Sequence, residues 1–187
     1  MGEGEKVMQK EKKQIAKNKL YVIFILSCAD FDLTEDQLIA LNAEFSLMEY
    51  YELMDAVAGA ESDGFIVRKK TISGIKLAET ELGRSTSEMF GRELSYTVRT
   101  RIKSYIEENQ RQLALESRLF SEYMQIGEER YRVIMRIMDD NLPLFEISAI
   151  VKSKEEADRY SAGWRRNAIE IYGQVIGSLL KDGDQHS

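Results

Sequence analysis

Residues 31–83 alternate turn chemistry with apolar periodicity in an order that few folds accommodate. Thr34-Glu35-Asp36-Gln37 sets a capping hydroxyl three residues before a glutamine, so two amides left unpaired at a helix start are satisfied reciprocally. A short helix carrying Leu38, Ile39 and Leu41 follows and ends near Asn42. After a break at 43–46, a second helix runs from 47 to about 60, with Tyr50, Leu53, Met54 and Val57 at the spacing of one inward face. Glu61-Ser62-Asp63-Gly64 is a turn by composition, and residues 65–70 then pair with 75–79 across Ser73-Gly74. Two short helices and a hairpin in that order predict a winged helix-turn-helix.

The flanking residues extend this reading. A helix over 18–29 turns Leu20, Ile23, Phe24 and Cys28 inward ahead of the motif. Thr80-Glu81-Leu82-Gly83 leaves the wing through a capping hydroxyl and a glycine that lets the next helix, 81–90, lie close to the strand. Gly91-Arg92 closes the winged domain, which spans 16–92. From Leu94 the pattern changes. Residues 96–116 form a long helix with Val98, Ile102, Tyr105, Ile106 and Leu113 on one stripe. Strand candidates follow at 117–126, 130–138 and 144–151; in the middle one Tyr131, Val133, Met135 and Ile137 alternate with Arg130, Arg132, Ile134 and Arg136. Gly127-Glu128-Glu129 and residues 139–143 supply the turns of an antiparallel meander.

A second capping box, Ser153-Lys154-Glu155-Glu156, opens a helix to about residue 181, with Ala157, Tyr160, Trp164, Ala168, Ile171, Tyr172, Val175, Leu179 and Leu180 at three- and four-residue steps. The expected fold class is α+β: a winged helix-turn-helix, then an α-β-β-β-α domain over 93–187 that serves dimerisation or sensing. Trp164 is expected in the core against the sheet. The last stripe runs roughly 40 Å at 1.5 Å per residue, farther than a three-stranded sheet of ordinary strands can cover. Val175, Leu179 and Leu180 are therefore placed at a homodimer interface.

Several chemistries are disfavoured. The single cysteine, Cys28, allows no internal disulfide and no cysteine-based metal site; it reads as a small buried hydrophobe. The only histidine, His186, stands one residue from the end, so neither a Ser-His-Asp nor a Cys-His arrangement is expected. Asp139-Asp140-Asn141 lacks the glycine and distal glutamate of a calcium loop and reads as a hairpin turn. No phosphate-cradling glycine loop is present. No catalytic role, metal or cofactor is expected. The first residues are polar and mixed in charge, and no apolar run reaches the ~18 residues of a membrane span. A cytoplasmic protein without membrane attachment is expected.

In order, the winged helix, long helix, three strands and final helix resemble an uncharacterised family of bacterial winged-helix proteins, common in Gram-positive bacteria and known as a domain of unknown function. The resemblance rests on Asn18-Lys19-Leu20, Met48-Glu49-Tyr50-Tyr51-Glu52-Leu53 and Thr80-Glu81-Leu82-Gly83. Asp140-Asn141-Leu142-Pro143-Leu144 and Trp164-Arg165-Arg166-Asn167-Ala168-Ile169-Glu170-Ile171-Tyr172 complete it, from about residue 16 to 181. It implies a transcriptional regulator and brings no established ligand or activity.

Charge divides the functional reading. A DNA-reading helix is expected to present basic or amide side chains, yet Glu49, Glu52 and Asp55 share one side of the second helix. Positive charge lies instead in the wing, at Arg68, Lys69, Lys70 and Lys76, and at Lys17 and Lys19 near the first helix's start. These six are the candidate contacts to double-stranded DNA. Residues 1–15 read as a basic, partly disordered tail. Residues 1–93 hold 12 basic and 17 acidic residues, net −5, and 94–187 hold 14 and 15, net −1. The presumed reading domain is thus the more acidic half, whereas a DNA-binding module ordinarily has a basic face. The sequence supports a homodimeric DNA-binding regulator, with a winged-helix protein-interaction module as the alternative.

Overall fold

A computed structural model of the chain describes residues 3–72, 74–139 and 142–181. Ser73, Asp140, Asn141 and His186, to which the sequence assigns turns and a chain end, lie outside the described residues. The described residues form two compact units, the first running to Leu113 (the tip of the wing aside) and the second from Ala114.

In the first unit, α1 spans Glu3–Ser27, β1 Leu33–Thr34, α2 Glu35–Phe45 and α3 Tyr50–Ser62. The wing is β2, Ile66–Thr71, with β3, Gly74–Glu79; α4 covers Glu81–Phe90, and a 3-10 turn at Gly91–Glu93 leads to α5, Tyr96–Glu116. The small sheet has the order β1-β3-β2, with Leu33 opposite Leu77. This is the winged helix-turn-helix arrangement that the sequence predicts.

Local chemistry sets most of its boundaries. The Gln37 amide donates to Thr34 Oγ1 at 3.1 Å, and the Thr34 amide donates to Gln37 Oε1 at 3.0 Å, so the capping box is complete. α2 runs three residues beyond Asn42 and stops at Ser46, whose left-handed φ of 50° ends the helix. Thr80 Oγ1 accepts from the Gly83 amide at 3.1 Å and starts α4.

The first core gathers Leu20, Ile23, Ile25, Leu38, Leu53, Val57, Ile66 and Leu77, all buried. Three expectations are corrected here. Ile102 and Ile106 of α5 are fully buried in this same core, so the first unit reaches Leu113 rather than closing at Arg92. Tyr50, expected inward with Leu53, is 52% exposed, because α3 begins at this residue and its first turn projects from the core. Residues 3–15, expected as a partly disordered tail, continue α1; Lys, Glu and Gln are straight-chain helix formers, and the only glycine described there is Gly4.

In the second unit, β4, Leu119–Gly127, β5, Arg130–Asp139, and β6, Leu142–Val151, form an antiparallel meander, followed by α6, Lys154–Lys181. Leu119 and Phe145 both pair with Ile137, which puts Leu119, Tyr123, Val133, Met135, Ile137, Phe145 and Ile147 on one face. α6 packs on that face through Ala157, Trp164 and Ala168. Trp164 is 1% exposed, stacks on Phe145 at 6.2 Å and donates its indole N–H to the Arg136 carbonyl at 3.3 Å. It is a core tryptophan, as expected. Ser153 Oγ caps the Glu156 amide at 3.1 Å, while the Glu156 carboxylate reaches back to the Lys152 amide at 2.9 Å.

Candidate nucleic-acid interface

α3 is the second helix of the helix-turn-helix, and its exposed first turn is acidic and aromatic. The Glu49 amide donates to Glu52 Oε2 at 3.1 Å, so one carboxylate of this turn helps to start the helix. Negative charge is stabilised at a helix N-terminus by the partial positive charge of its unpaired amides. The same amides are what a phosphate would use, and here the protein's own carboxylates already stand beside them. Asp55 is exposed one turn on. Tyr50 and Tyr51 meet edge to face at 5.6 Å, with Tyr51 82% exposed. The turn before α3 is pinned from inside, where Asn42 Nδ2 donates to the Met48 carbonyl at 2.8 Å.

The wing cations are largely drawn back onto the protein. Arg68 lies between Glu35 at 3.5 Å and Glu61 at 3.4 Å, which ties β2 to the start of α2 and the end of α3. Lys69 pairs with Asp32 at 2.7 Å. Lys70 is exposed and has no ion-pair partner among the described residues. Lys76 is half-buried on β3 and engaged in an interaction of its own. Of the two α1 candidates, Lys19 pairs with Asp63 at 2.6 Å, whereas Lys17 is exposed and sits 5.8 Å over the Tyr21 ring. The structure therefore brings Arg68 and Lys69 together on one strand with their carboxylate partners; the sequence foresaw the cations but not their pairing.

The continuous α1 adds a feature that sequence reading missed. Lys6, Lys10, Lys13 and Lys17 stand at i, i+4, i+7 and i+11, all exposed, along one side of the helix. The spacing was visible in the sequence, but it becomes a stripe only if these residues are helical.

In the second unit, Val175 is 36%, Leu179 71% and Leu180 76% exposed, on the part of α6 beyond Tyr172, whose ring still meets Phe145 at 5.3 Å. The sheet face away from α6 centres on Arg136, which donates to Glu122 at 3.0 Å and Glu146 at 2.5 Å. Met124, Ile126, Leu144 and Ile150 are exposed in the same sheet.

Among the described residues, no three His, Cys, Asp or Glu side chains are grouped to hold a metal ion. No described helix is long and apolar enough to cross a membrane. Burial pushes the Cys28 thiol up to about 11, with Glu107 and Glu79 acting in the same direction and Lys103 opposing them. Residues 18–179 match the family model described as "Domain of unknown function (DUF4364)". No curated protein and no solved structure gives a match.

Proposed function

The chain belongs to the DUF4364 family, whose description assigns no activity, and from the chain's own surface we propose that it is a cytoplasmic, homodimeric, winged-helix DNA-binding regulator rather than an enzyme. The carrying observation is the wing, where Arg68, Lys69 and Lys70 follow one another on β2 within a winged helix-turn-helix. Surface ion pairs of the kind Arg68 and Lys69 make typically contribute only about 0–1 kcal/mol. A phosphate can therefore take over these cations from Glu35, Glu61 and Asp32 at little cost. Lys70 needs no such exchange. Lys76, Lys17 and Lys19, with the remaining lysines along α1, supply further positive charge. On this reading α3 contributes little to affinity, because its exposed turn carries the wrong sign.

The test is fluorescence anisotropy on mixed-sequence duplex DNA at several salt concentrations, comparing the wild type with Arg68, Lys69 and Lys70 replaced by Ala. Every cation taken off a phosphate should lower the salt slope by about one and weaken binding to all sequences alike. Binding that ignores the substitutions would sink this docking mode.

The exposed turn of α3 favours a second reading, a protein-interaction module. Tyr50 and Tyr51 flanked by Glu49, Glu52 and Asp55 suit a basic protein segment, aromatic side chains being enriched at interface centres. Absence of any DNA binding near 50 mM salt, where a few phosphate contacts should register, would transfer support to it.

A further inference from the structure

We propose that the groove between α1 and α4 is a binding site for a small amphipathic organic anion, a carboxylate with an aliphatic or aromatic body. The groove holds about 640 Å³, within the roughly 300–1,000 Å³ of sites for drug-sized ligands. Along α1 it runs from Lys12 to Ile23, about 16 Å at 1.5 Å per residue. Its apolar part is lined by Ile15, Leu20 and Ile23 from α1, Phe65 at the root of the wing, and Phe90 from α4. Phe90 is 46% and Ile15 56% exposed, so apolar surface stands open to solvent here.

The rim selects the sign of the occupant. Lys12, Lys13, Lys17 and Lys19 border the groove, and only Lys19 has a carboxylate partner there, Asp63 at 2.6 Å. Glu93 is the other carboxylate in the lining. Three lysines without a carboxylate partner among the described residues thus stand along the α1 side of an apolar trough, in a chain whose formal net charge is −6. General charge does not explain that concentration. Inorganic phosphate or a nucleic-acid backbone would satisfy the lysines but leave the apolar lining unused. A neutral hydrocarbon would do the reverse. An amphipathic anion uses both, with its charged end on a lysine and its body between α1 and α4. The inference stands whether or not the protein binds DNA.

The experiment is isothermal titration calorimetry of the full chain with decanoate, and with decanol as the uncharged homologue. Two variants carry it: Lys12→Glu/Lys13→Glu/Lys17→Glu and Phe90→Ser. The expected result is saturable 1:1 binding of decanoate, weakened about tenfold or more by each variant, as reversing the rim charge or removing one apolar wall implies. Decanol should bind at least about tenfold more weakly than decanoate. If Phe90→Ser fails to melt cooperatively, the lysine variant, altered only at exposed positions, decides. The proposal is overturned if decanoate shows no saturable binding, if decanol binds as well, or if both variants bind like the wild type. It is also overturned if Phe90→Ser converts a dimer into a monomer in sedimentation velocity, which would assign the groove to a second copy of the chain.

Discussion

The carbonyl oxygen of Phe65 lies where a Cβ on Gly83 would have to go, and the carbonyl carbon would stand 3.0 Å from that Cβ. The same oxygen accepts the Thr80 amide at 2.9 Å, so neither the wing nor α4 has room to retreat without breaking the joint. Gly83→Ala should therefore cost about 1–3 kcal/mol, the usual range for forced overpacking. Gly163→Ala in α6, where an added Cβ meets nothing within 4 Å, should instead stabilise by about 0.5–1 kcal/mol. Urea denaturation of both variants checks the pair; equal effects would refute the steric account.

Gln37 is a second joint. While its Oε1 completes the Thr34 capping box, its Nε2 donates to the Leu113 carbonyl at 2.7 Å, tying α2 to the far part of α5. Gln37→Leu should lose about 1–3 kcal/mol, because a buried carbonyl and a helix-start amide lose their partner together. Hydrogen exchange should show the loss concentrated in α2 and in α5 near Leu113. A change confined to α2 would mean that the bond to Leu113 carries no weight.

The Cys28 thiol should be slow. With its pKa pushed up to about 11 by burial, its thiolate fraction at pH 8 is of the order of a hundredfold below that of an ordinary thiol of pKa about 8.5. Reaction with a disulfide reagent at pH 8 should lag the urea-unfolded chain by at least that factor. Because the folded pKa is the raised one, the thiol leaves stability unchanged below its ordinary range. It reduces stability as pH rises from about 9 towards 11. A native rate matching the unfolded one would contradict the burial.

Replacing Glu49 and Glu52 by Gln and Asp55 by Asn removes the wrong-signed field from α3. If that face approaches phosphates, non-specific DNA affinity should rise about tenfold or more at low salt, and the gain should shrink as salt is added. An affinity unchanged at every salt concentration would show that α3 stays away from the backbone.

Leu179→Glu with Leu180→Glu should abolish self-association, since these are among the most exposed large apolar side chains and a charge at an interface core is strongly disfavoured. Light scattering should then give the 21.5 kDa species alone, where the wild type gives twice that mass. A wild type that is monomeric at all concentrations would remove the interface altogether.

What the sequence determined by itself is local. The bounds of α4 and α5, the caps at Thr34, Thr80 and Ser153 and the alternation in β5 all follow from interactions within a few residues, and those are written in the order of the chain. Tertiary structure decided where each face goes. The stripe of Ile102 and Ile106 announces that one side of α5 is buried; only the packed core shows that it joins the winged unit. In the same way, the row of wing cations was legible, but Arg68 finds Glu35 and Glu61, and Lys69 finds Asp32, 37 positions away. Such pairings depend on which surfaces the fold brings within a few ångströms, and a linear pattern of charges does not contain that distance.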